Sequence, residues 1–415
     1  DAPVIQYLPW FRLSDPYVTS QMTIRDLLVH RSGLGLGAGD LLWWPASTYN
    51  RREIAQRLAQ IPLATSFRSA YAYDNVLYLV AGEVIESITG QSWEDYISNR
   101  LLKRIGMTSS AVRHSAATAG GNVATPHAFV DGKLQSVKPF DSDNTNPAGG
   151  IMSNAADMAK WLIVFLNRGR IADGSRIYSE AVARELEAFV TPQPFGNPAP
   201  ELKALRKNFS GYALGLGVSD YRGRKLITHT GGLPGYTSRV AWIPEINAGV
   251  AVLTNQESGE AWNSIAWTVL DHYLGVNDTD WVDAYSKVKA RSDAALARTD
   301  AGTASARNAS SKPSLPLDRF AGTYTDAWYG DVAVTLENGK LVVRFTKTPL
   351  LIGEAEHWQY DTFLVKWRDR ELRADAFITF SIDADGKVDV ARMRAASPSV
   401  DFSFDFQDLV LRKAR

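Results

Sequence analysis

The sequence predicts an α+β protein, in which a helical part faces an antiparallel sheet and a C-terminal part forms an antiparallel β-barrel. Apolar residues recur at helical spacing between residues 76 and 169. Short runs rich in Val, Ile, Leu, Tyr and Trp replace them between 212 and 253, and alternating runs return after residue 316. With 415 residues, 45% of them apolar, the chain can bury a large core and form two or three domains.

Three stretches of the first part have helix signals. Residues 76–88 are apolar on almost every face and precede Gly90, which predicts a buried helix that ends there. Residues 92–106 begin with a serine N-cap and an acidic first turn, and end at a glycine. The apolar spacing over 158–166, followed by Gly169, predicts a helix that faces the core.

The middle of the chain predicts an antiparallel sheet. Its runs are short, β-rich and separated by turns that contain Gly or Pro, and we place four strands at 212–218, 225–229, 237–243 and 248–253. Residues 260–274 return to a helical pattern and should pack on this sheet.

The last part predicts a separate barrel. Residues 290–315 are rich in Ala, Ser, Thr, Arg and Asp, which is typical of a linker. After it, Asn338-Gly339 joins two alternating runs and favours a type I′ hairpin turn. We therefore predict a first domain at 1–289, a linker at 290–315 and a small closed barrel at 316–415.

Charge and composition exclude several classes of function. Lys plus Arg and Asp plus Glu number 45 each, so the zero formal charge gives no electrostatic case for nucleic acid. No apolar run approaches the ~20 residues of a membrane span. The chain has no cysteine, and its six histidines lack the spacing of a zinc site. We expect no metal and no cofactor.

Two motifs carry the chemistry: Tyr73-Asp74-Asn75 just before the first predicted helix, and His229-Thr230-Gly231 at the end of a predicted strand. Serine hydrolases of the penicillin-binding type place comparable motifs beside a Ser-x-x-Lys nucleophile. With these motifs the chain resembles the class C β-lactamase-related serine hydrolases, which include D,D-peptidases, D-aminopeptidases and esterases. Further matching segments are 23–34, 82–86, 147–151 and 231–236. The C-terminal part resembles the lipocalin-like domain appended to some of these hydrolases, on the strength of 320–324 and 357–363.

The resemblance implies a β-lactamase/transpeptidase-like fold and a role for each motif residue. Tyr73 would be the general base, with His229 assisting it. Asn75, Thr230, Gly231 and Gly232 would bind the acyl group of the substrate, and the Gly232 amide would be one oxyanion donor. A phenol has a pKa near ~10 and needs nearby cations to act as a base at neutral pH. His229 stands where relatives have lysine, which favours peptides, D-amino acid derivatives or esters over β-lactams as substrates.

The nucleophile is the missing part of this pattern. The resemblance implies that the Ser-x-x-Lys helix, and some strands of the sheet, would precede Asp1, so we expect an unpaired apolar sheet edge. The serine and lysine would then come from a segment or companion chain outside this sequence. The Ser-x-x-Lys at 286–289 lies in a charged helical stretch without an oxyanion hole, and we interpret it as solvated helix surface.

Alternatives remain open at this point. Tyr73 could simply pack at a helix start, Asn75 could cap the helix, and His229 could be structural. The whole chain could be a non-catalytic ligand-binding protein, or could act in assembly through its C-terminal β-domain. The expected partner is a small-molecule or peptide substrate, and a homo-oligomer is compatible with the predicted fold. The resemblance favours a periplasmic or secreted location.

Overall fold

The architecture comprises a helical part, a six-stranded sheet and a closed barrel, and we describe it from a computed structural model covering residues 1–118 and 121–414. The helices are α1 Val4–Tyr7, α2 Pro16–Gln21, α3 Ile24–Leu27, α4 Arg51–Arg57, α5 Val76–Thr89, α6 Trp93–Ile97, α7 Lys103–Ile105, α8 His114–Thr118, α9 Asn146–Gly149, α10 Ala155–Leu166, α11 Glu180–Leu186, α12 Gly259–Leu274 and α13 Trp281–Ser305. A π-helical turn at Ser98–Leu102 joins α6 to α7. Short 3-10 helices lie at Asp40–Leu42, Leu58–Gln60, Pro200–Leu205, Pro244–Ile246, Leu317–Phe320, Arg370–Leu372 and Phe406–Asp408.

The predicted helices are present. Helix α5 ends at Gly90, whose φ of 67° places it in the left-handed region that glycine adopts at helix ends. The α6 helix begins after Ser92, whose side chain accepts the Asp95 backbone N–H. Helix α10 faces the core as its spacing predicts. Among the described helices, none is both long enough and apolar enough to cross a membrane.

The sheet follows the predicted order, with one predicted strand split in two and a two-residue strand added at Thr191–Pro192. Its strands are β3 Thr191–Pro192, β4 Ser210–Tyr212, β5 Gly217–Tyr221, β6 Arg224–Leu233, β7 Tyr236–Ile243 and β8 Ala248–Thr254, all antiparallel and in that spatial order. The run predicted as one strand at 212–218 is split between β4 and β5, because Gly215 turns the chain at a φ of 81°. A small hairpin, β1 His127–Val130 with β2 Lys133–Ser136, forms a separate two-stranded sheet.

The apolar sheet edge that we expected is β8. Among the residues that the structure describes, β8 pairs with β7 alone. Helix α12 packs across β7 and β8, and Leu253 on the edge strand is exposed. The free edge therefore lies on the side of the sheet away from β6.

The C-terminal part is a closed eight-stranded antiparallel barrel, as predicted. Its strands are β9 Gly322–Asp326, β10 Gly330–Glu337, β11 Lys340–Phe345, β12 Ile352–Gln359, β13 Thr362–Trp367, β14 Ala376–Ile382, β15 Val388–Ala395 and β16 Leu411–Lys413. Asn338 and Gly339 both have positive φ angles, as a type I′ turn requires. The barrel closes where β16 pairs with β9.

The first part of the segment predicted as a linker, 290–315, is helical, since α13 continues to Ser305. Its alanines favour helix, and the ion pairs Asp283–Lys287 and Lys289–Asp293 bridge successive turns at 2.6 Å each. A linker and an exposed helix have similar amino-acid compositions, because neither buries apolar residues. The division of the chain into domains stays a prediction.

The barrel is not isolated from the helical part. One continuous apolar core contains residues of α1, α4 and α5 together with the barrel interior. The Arg57 guanidinium donates to the Trp328 carbonyl at 2.8 Å, and the Tyr49 hydroxyl donates to the Tyr329 carbonyl. The two parts therefore share a buried junction.

Candidate active site

The first motif lies on a loop that is fixed on both sides. The Tyr73 carbonyl accepts the Gly37 N–H at 2.8 Å, and the Asp74 N–H donates to Nδ1 of His30 at 3.1 Å. Asp74, which is fully buried, accepts the Val76 N–H at 3.0 Å with one carboxylate oxygen. These contacts hold Tyr73 at the mouth of α5.

Asn75 does not cap the helix with its side chain, so that alternative is wrong. It occupies the N-cap position, but its side chain accepts no bond from the first turn, and Asp74 takes that role. The Asn75 Nδ2 instead donates to the buried Asp40 carboxylate at 2.9 Å. Because an amide nitrogen carries two hydrogens, one donor remains for another acceptor.

The second motif lies inside β6 rather than at a strand end. Pairing with β7 continues from His229 opposite Val240 to Leu233 opposite Tyr236. Pairing with β5 stops at Thr228, so the opposite edge of β6 has no strand partner beyond that point among the described residues. Thr230, Gly231 and Gly232 are exposed there, and nothing lies within 4 Å of a Cβ built on Gly232.

His229 has a defined tautomer in this arrangement. Its Nδ1 lies 2.6 Å from the Thr230 carbonyl, which can only accept, so Nδ1 carries the hydrogen. Its Nε2 then accepts from the hydroxyl of Tyr212 at 2.9 Å. Burial lowers the pKa of His229, with the Thr230 hydrogen bond opposing and Arg239 adding to that effect. We therefore expect a neutral imidazole at neutral pH.

The fold brings the two motifs together. The rings of Tyr73 and His229 lie 6.3 Å apart between centroids, although 155 intervening residues separate them in the chain. Burial, with smaller contributions from Tyr71, Asp40 and Asp74, raises the pKa of Tyr73 to about 12. None of these groups is a cation, so the described residues keep the Tyr73 phenol neutral.

An aromatic cluster surrounds His30, and neither sequence motif indicated it. This histidine is buried, has a φ of 53°, and lies against Tyr73 at 4.2 Å and Tyr212 at 4.6 Å between ring centroids. Burial lowers the pKa of His30 to about 3, with His229 adding to the effect. The signal was present, since His30 lies in the 23–34 segment that carries the resemblance, but that segment alone gives no role.

The barrel also reaches this site, which no sequence pattern indicated. Residues 400–405, which we call the barrel arm, follow β15 and lie against the loop before the 3-10 helix at Asp40–Leu42. Phe402 of the arm lies edge-on to Tyr73, with ring centroids 6.2 Å apart. Asp405 accepts the backbone N–H groups of Gly39 at 2.8 Å and Leu41 at 3.0 Å.

The Ser-x-x-Lys sequence at 286–289 is not a nucleophile site in this fold. Ser286 and Lys289 are exposed on α13, and the Lys289 ammonium pairs with Asp293. That arrangement agrees with the interpretation as solvated helix surface.

Comparison with protein-family models decides the family. The model described as Beta-lactamase matches residues 1–274. The chain belongs to the beta-lactamase family. Membership confirms the resemblance drawn from the two motifs. A second model, described as a domain of unknown function (DUF3471), matches residues 306–413, which include the barrel.

Curated relatives of this family member are distant. It is similar to the unguisins hydrolase ungD of Aspergillus violaceofuscus, at 26% identity over 80% of this chain and 62% of the relative. The corresponding protein of Aspergillus campestris gives 25% identity over 78% of this chain and 60% of the relative. The chain thus spans about three fifths of the length of these relatives. Penicillin-binding protein 4 of Amycolatopsis lactamdurans is 27% identical over 61% of this chain and 65% of its own length.

Solved structures confirm the fold of this family member. The octameric penicillin-binding protein homologue from Pyrococcus abyssi superposes with a TM-score of 0.56 at 20% identity, covering 100% of this chain and 82% of that one. The D-stereospecific amidohydrolase from Streptomyces gives a TM-score of 0.50 at 20% identity, over 64% of this chain and 78% of that one. The predicted β-lactamase/transpeptidase-like fold is confirmed.

Proposed function

We propose that this protein is a serine hydrolase that acts through an acyl-enzyme on peptide, D-amino acid amide or ester substrates. In this proposal a segment or chain outside the 415 residues supplies the nucleophilic serine and its lysine. The observation that carries it is the meeting of Tyr73 and His229 beside the open edge of β6.

The open strand edge supports a peptide-like substrate. The backbone beyond Thr228 lacks a strand partner on that edge among the described residues, and Gly231 and Gly232 carry no side chain that could block it. An extended substrate can add itself to such an edge through main-chain hydrogen bonds. Its scissile carbonyl would then lie near the Asn75 amide and the Gly232 N–H, the two donors assigned to the acyl oxygen and oxyanion.

The proton chemistry requires a cation beside Tyr73. A phenol whose pKa is raised to about 12 cannot take a serine proton at neutral pH. The lysine of a Ser-x-x-Lys element would stabilise the phenolate and lower that pKa. Neutral His229, bonded through Nε2 to Tyr212, would relay protons rather than supply fixed charge.

The relatives support hydrolysis in general terms. Two of them are named as hydrolases of unguisins and one as a penicillin-binding protein, at 25–27% identity. Extending amide or peptide hydrolysis from those proteins to this chain is part of the proposal.

A second candidate is a ligand-binding protein without turnover. The uncharged surroundings of Tyr73 favour it, because the described residues offer the phenol only groups that raise its pKa. Such a protein would bind peptide-like ligands at the β6 edge and would react with no acylating reagent.

A labelling experiment separates the two candidates. The protein, purified from its natural host, is treated with a fluorophosphonate and with a fluorescent penicillin, then resolved by denaturing gel and intact mass. Label on a companion chain, or on a product heavier than 45.7 kDa, supports the hydrolase. Absence of label on a chain whose mass matches these 415 residues supports the binding protein.

Variants then test the base. In a protein that labels, Tyr73→Phe should slow acylation by about 100-fold or more, the usual contribution of a general base. Tyr71→Phe is the matched control, since it removes a half-buried phenol two positions away to which we assign no part in proton transfer. Equal rates for the two variants would show that Tyr73 is not the base.

A further inference from the structure

The barrel arm is built into the loop that supports the first motif. Asp405 is fully buried, and its two oxygens accept the N–H groups of Gly39 and Leu41 at 2.8 and 3.0 Å. Each of these bonds joins residues more than 360 positions apart. The arm is thereby anchored on both sides of Asp40.

A hydrogen-bonded chain runs from the arm to Asn75. The Ser403 hydroxyl donates to Oδ2 of Asp40 at 2.8 Å, and the Asn75 Nδ2 donates to the same oxygen at 2.9 Å. The indole of Trp43 donates to the other oxygen at 2.9 Å. Three donors from three directions fix the carboxyl group of Asp40, and Ser403 and Asp40 are both buried from water.

This chain also fixes the orientation of the Asn75 amide. A side-chain amide has a nitrogen end and an oxygen end, and only the nitrogen end can donate to Asp40. The amide orientation at the candidate site is therefore set from within the fold, before any substrate arrives. Without the Ser403 bond, Oδ2 of Asp40 would keep Asn75 as its one remaining donor in the described chain, and the carboxyl group and the Asn75 amide would be held less firmly.

Phe402 presents an apolar face at the same place. Its side chain is 42% exposed although it lies edge-on to Tyr73. Gly37 makes this approach possible, since a Cβ at that position would lie 2.8 Å from Cδ2 of Phe402. The same Gly37 donates its N–H to the Tyr73 carbonyl, so this residue contacts both the Phe402 ring and the first motif.

We propose that the barrel arm completes the candidate site: Ser403, acting through Asp40, is a positioning residue for Asn75, and Phe402 is a wall of the pocket for the substrate side chain. The ligands it favours carry a bulky apolar side chain next to the amide carbonyl. This inference rests on the proposed function for the role of Asn75, and it assigns the barrel a direct part in recognition.

The positioning part is tested without any turnover. In the ¹⁵N-labelled full chain, the side-chain amide signals of Asn75 are identified by their loss in Asn75→Asp. Ser403→Ala should shift these signals and accelerate their hydrogen exchange several-fold, and Ser403→Thr should restore them. Ser399→Ala, an exposed serine near the arm, is the control. Asn75 signals that are the same in Ser403→Ala and in the parent chain would overturn the positioning role.

The pocket wall is tested by ligand discrimination. Binding of N-acetyl-D-phenylalaninamide and N-acetyl-D-alaninamide is measured by calorimetry on the parent chain, on Phe402→Ala and on Leu336→Ala, a barrel residue that is also 42% exposed. We expect the parent to prefer the phenylalanine derivative and Phe402→Ala to reduce that preference about tenfold. An unchanged preference, or no binding of either amide, would overturn the role of Phe402.

The two proposals fail separately. Absence of fluorophosphonate label overturns the hydrolase and leaves the Asn75 signals to decide the positioning role. Label that persists while Ser403→Ala and Phe402→Ala behave like their controls supports the hydrolase and overturns the part given to the barrel arm.

Discussion

Asp26 and Asp40 are both fully buried, but their neighbours shift the pKa of each in opposite directions. Asp26, in the capping box of α3, is paired with Arg31 at 2.9 Å and Arg68 at 2.6 Å. Burial acts to raise its pKa, but the bonds from Arg68, Thr23 and Arg31 win and lower the pKa of Asp26 to about 2. Asp40, at the barrel junction, receives only neutral donors, and burial raises the pKa of Asp40 to about 7.

The difference shows that the protein loses stability around Asp40, because no cation among the described residues offsets the cost of burying its carboxyl group. Around Asp40 lie two more buried carboxyl groups, Asp74 and Asp405, and burial followed by the charge of Asp40 raises the pKa of each. In the described part of the chain, the groups that act on these three are neutral hydrogen-bond donors and other carboxyl groups. A cluster of this kind beside a candidate site agrees with the tendency of perturbed ionisable groups to gather where proteins act on ligands. The Asp26 region, by contrast, is a structural anchor.

The largest expected effect is a dependence of stability on pH that Asp40 creates. Between about pH 4 and pH 7 the unfolded chain releases the Asp40 proton while the folded chain keeps it, so the free energy of unfolding falls as the pH rises. The pKa difference corresponds to on the order of 4 kcal/mol. Asp40→Asn should flatten this slope in urea denaturation between pH 4 and 7. A slope equal to that of the parent chain would contradict the assignment.

Asp26→Asn should show the opposite dependence. The folded pKa of Asp26 is depressed, so its stabilisation is present above about pH 4 and is lost as the pH falls towards 2. We expect a loss of about 3 kcal/mol at pH 7, because the variant leaves two arginines without their buried partner. The same urea titration at pH 3 should show a smaller loss. Equal losses at the two pH values would remove the contrast with Asp40.

Asp405→Ala tests the anchor of the barrel arm. It leaves the Gly39 and Leu41 N–H groups without acceptors in a buried place, which should cost about 2 kcal/mol in thermal or chemical denaturation. Asp385→Ala, in an exposed barrel turn, is the control and should change the stability by less than about 0.5 kcal/mol. If both variants change the stability by the same amount, the Asp405 hydrogen bonds make no measurable contribution to it.

The smallest effect separates backbone strain from contact at Gly37. Gly37 and Gly90 share a φ of 67°, but a Cβ at Gly37 meets Phe402 at 2.8 Å, and a Cβ at Gly90 meets nothing within 4 Å. Both alanine variants should lose about 1 kcal/mol through backbone strain. Gly37→Ala should lose about 1 kcal/mol more and displace Phe402. Equal decreases in melting temperature for the two variants would show that Phe402 moves aside at no measurable cost.

Local features of this fold could be predicted from the sequence, because each had a local cause. The start of α5 after the Tyr-x-Asn motif, its end at Gly90 and the Asn338-Gly339 hairpin depend on neighbouring residues alone. The sequence predicts the His-Thr-Gly motif at a strand end, since adjacent glycines weaken a strand. Pairing with β7 nevertheless carries β6 through Leu233.

The composition of the site could be predicted only in part. Tyr73 and His229 were named from their motifs, and the fold brings their rings within 6.3 Å between centroids. In the sequence, Tyr212 cannot be distinguished from other strand residues. Its hydrogen bond to His229 depends on the relative positions of β4 and β6 in the folded sheet. Ser403 and Asp405 meet their partners across most of the chain, and no pattern of nearby residues signals such contacts.

The anchoring of Asp405 to Gly39 and Leu41 has a consequence for biosynthesis. The helical part leaves the ribosome long before the barrel arm, because 366 positions separate Gly39 from Asp405. Domains fold in the order of their synthesis, whereas this junction needs both ends of the described chain. If the barrel arm completes the site as proposed, the candidate site around Tyr73 stays unfinished until the barrel has been synthesised.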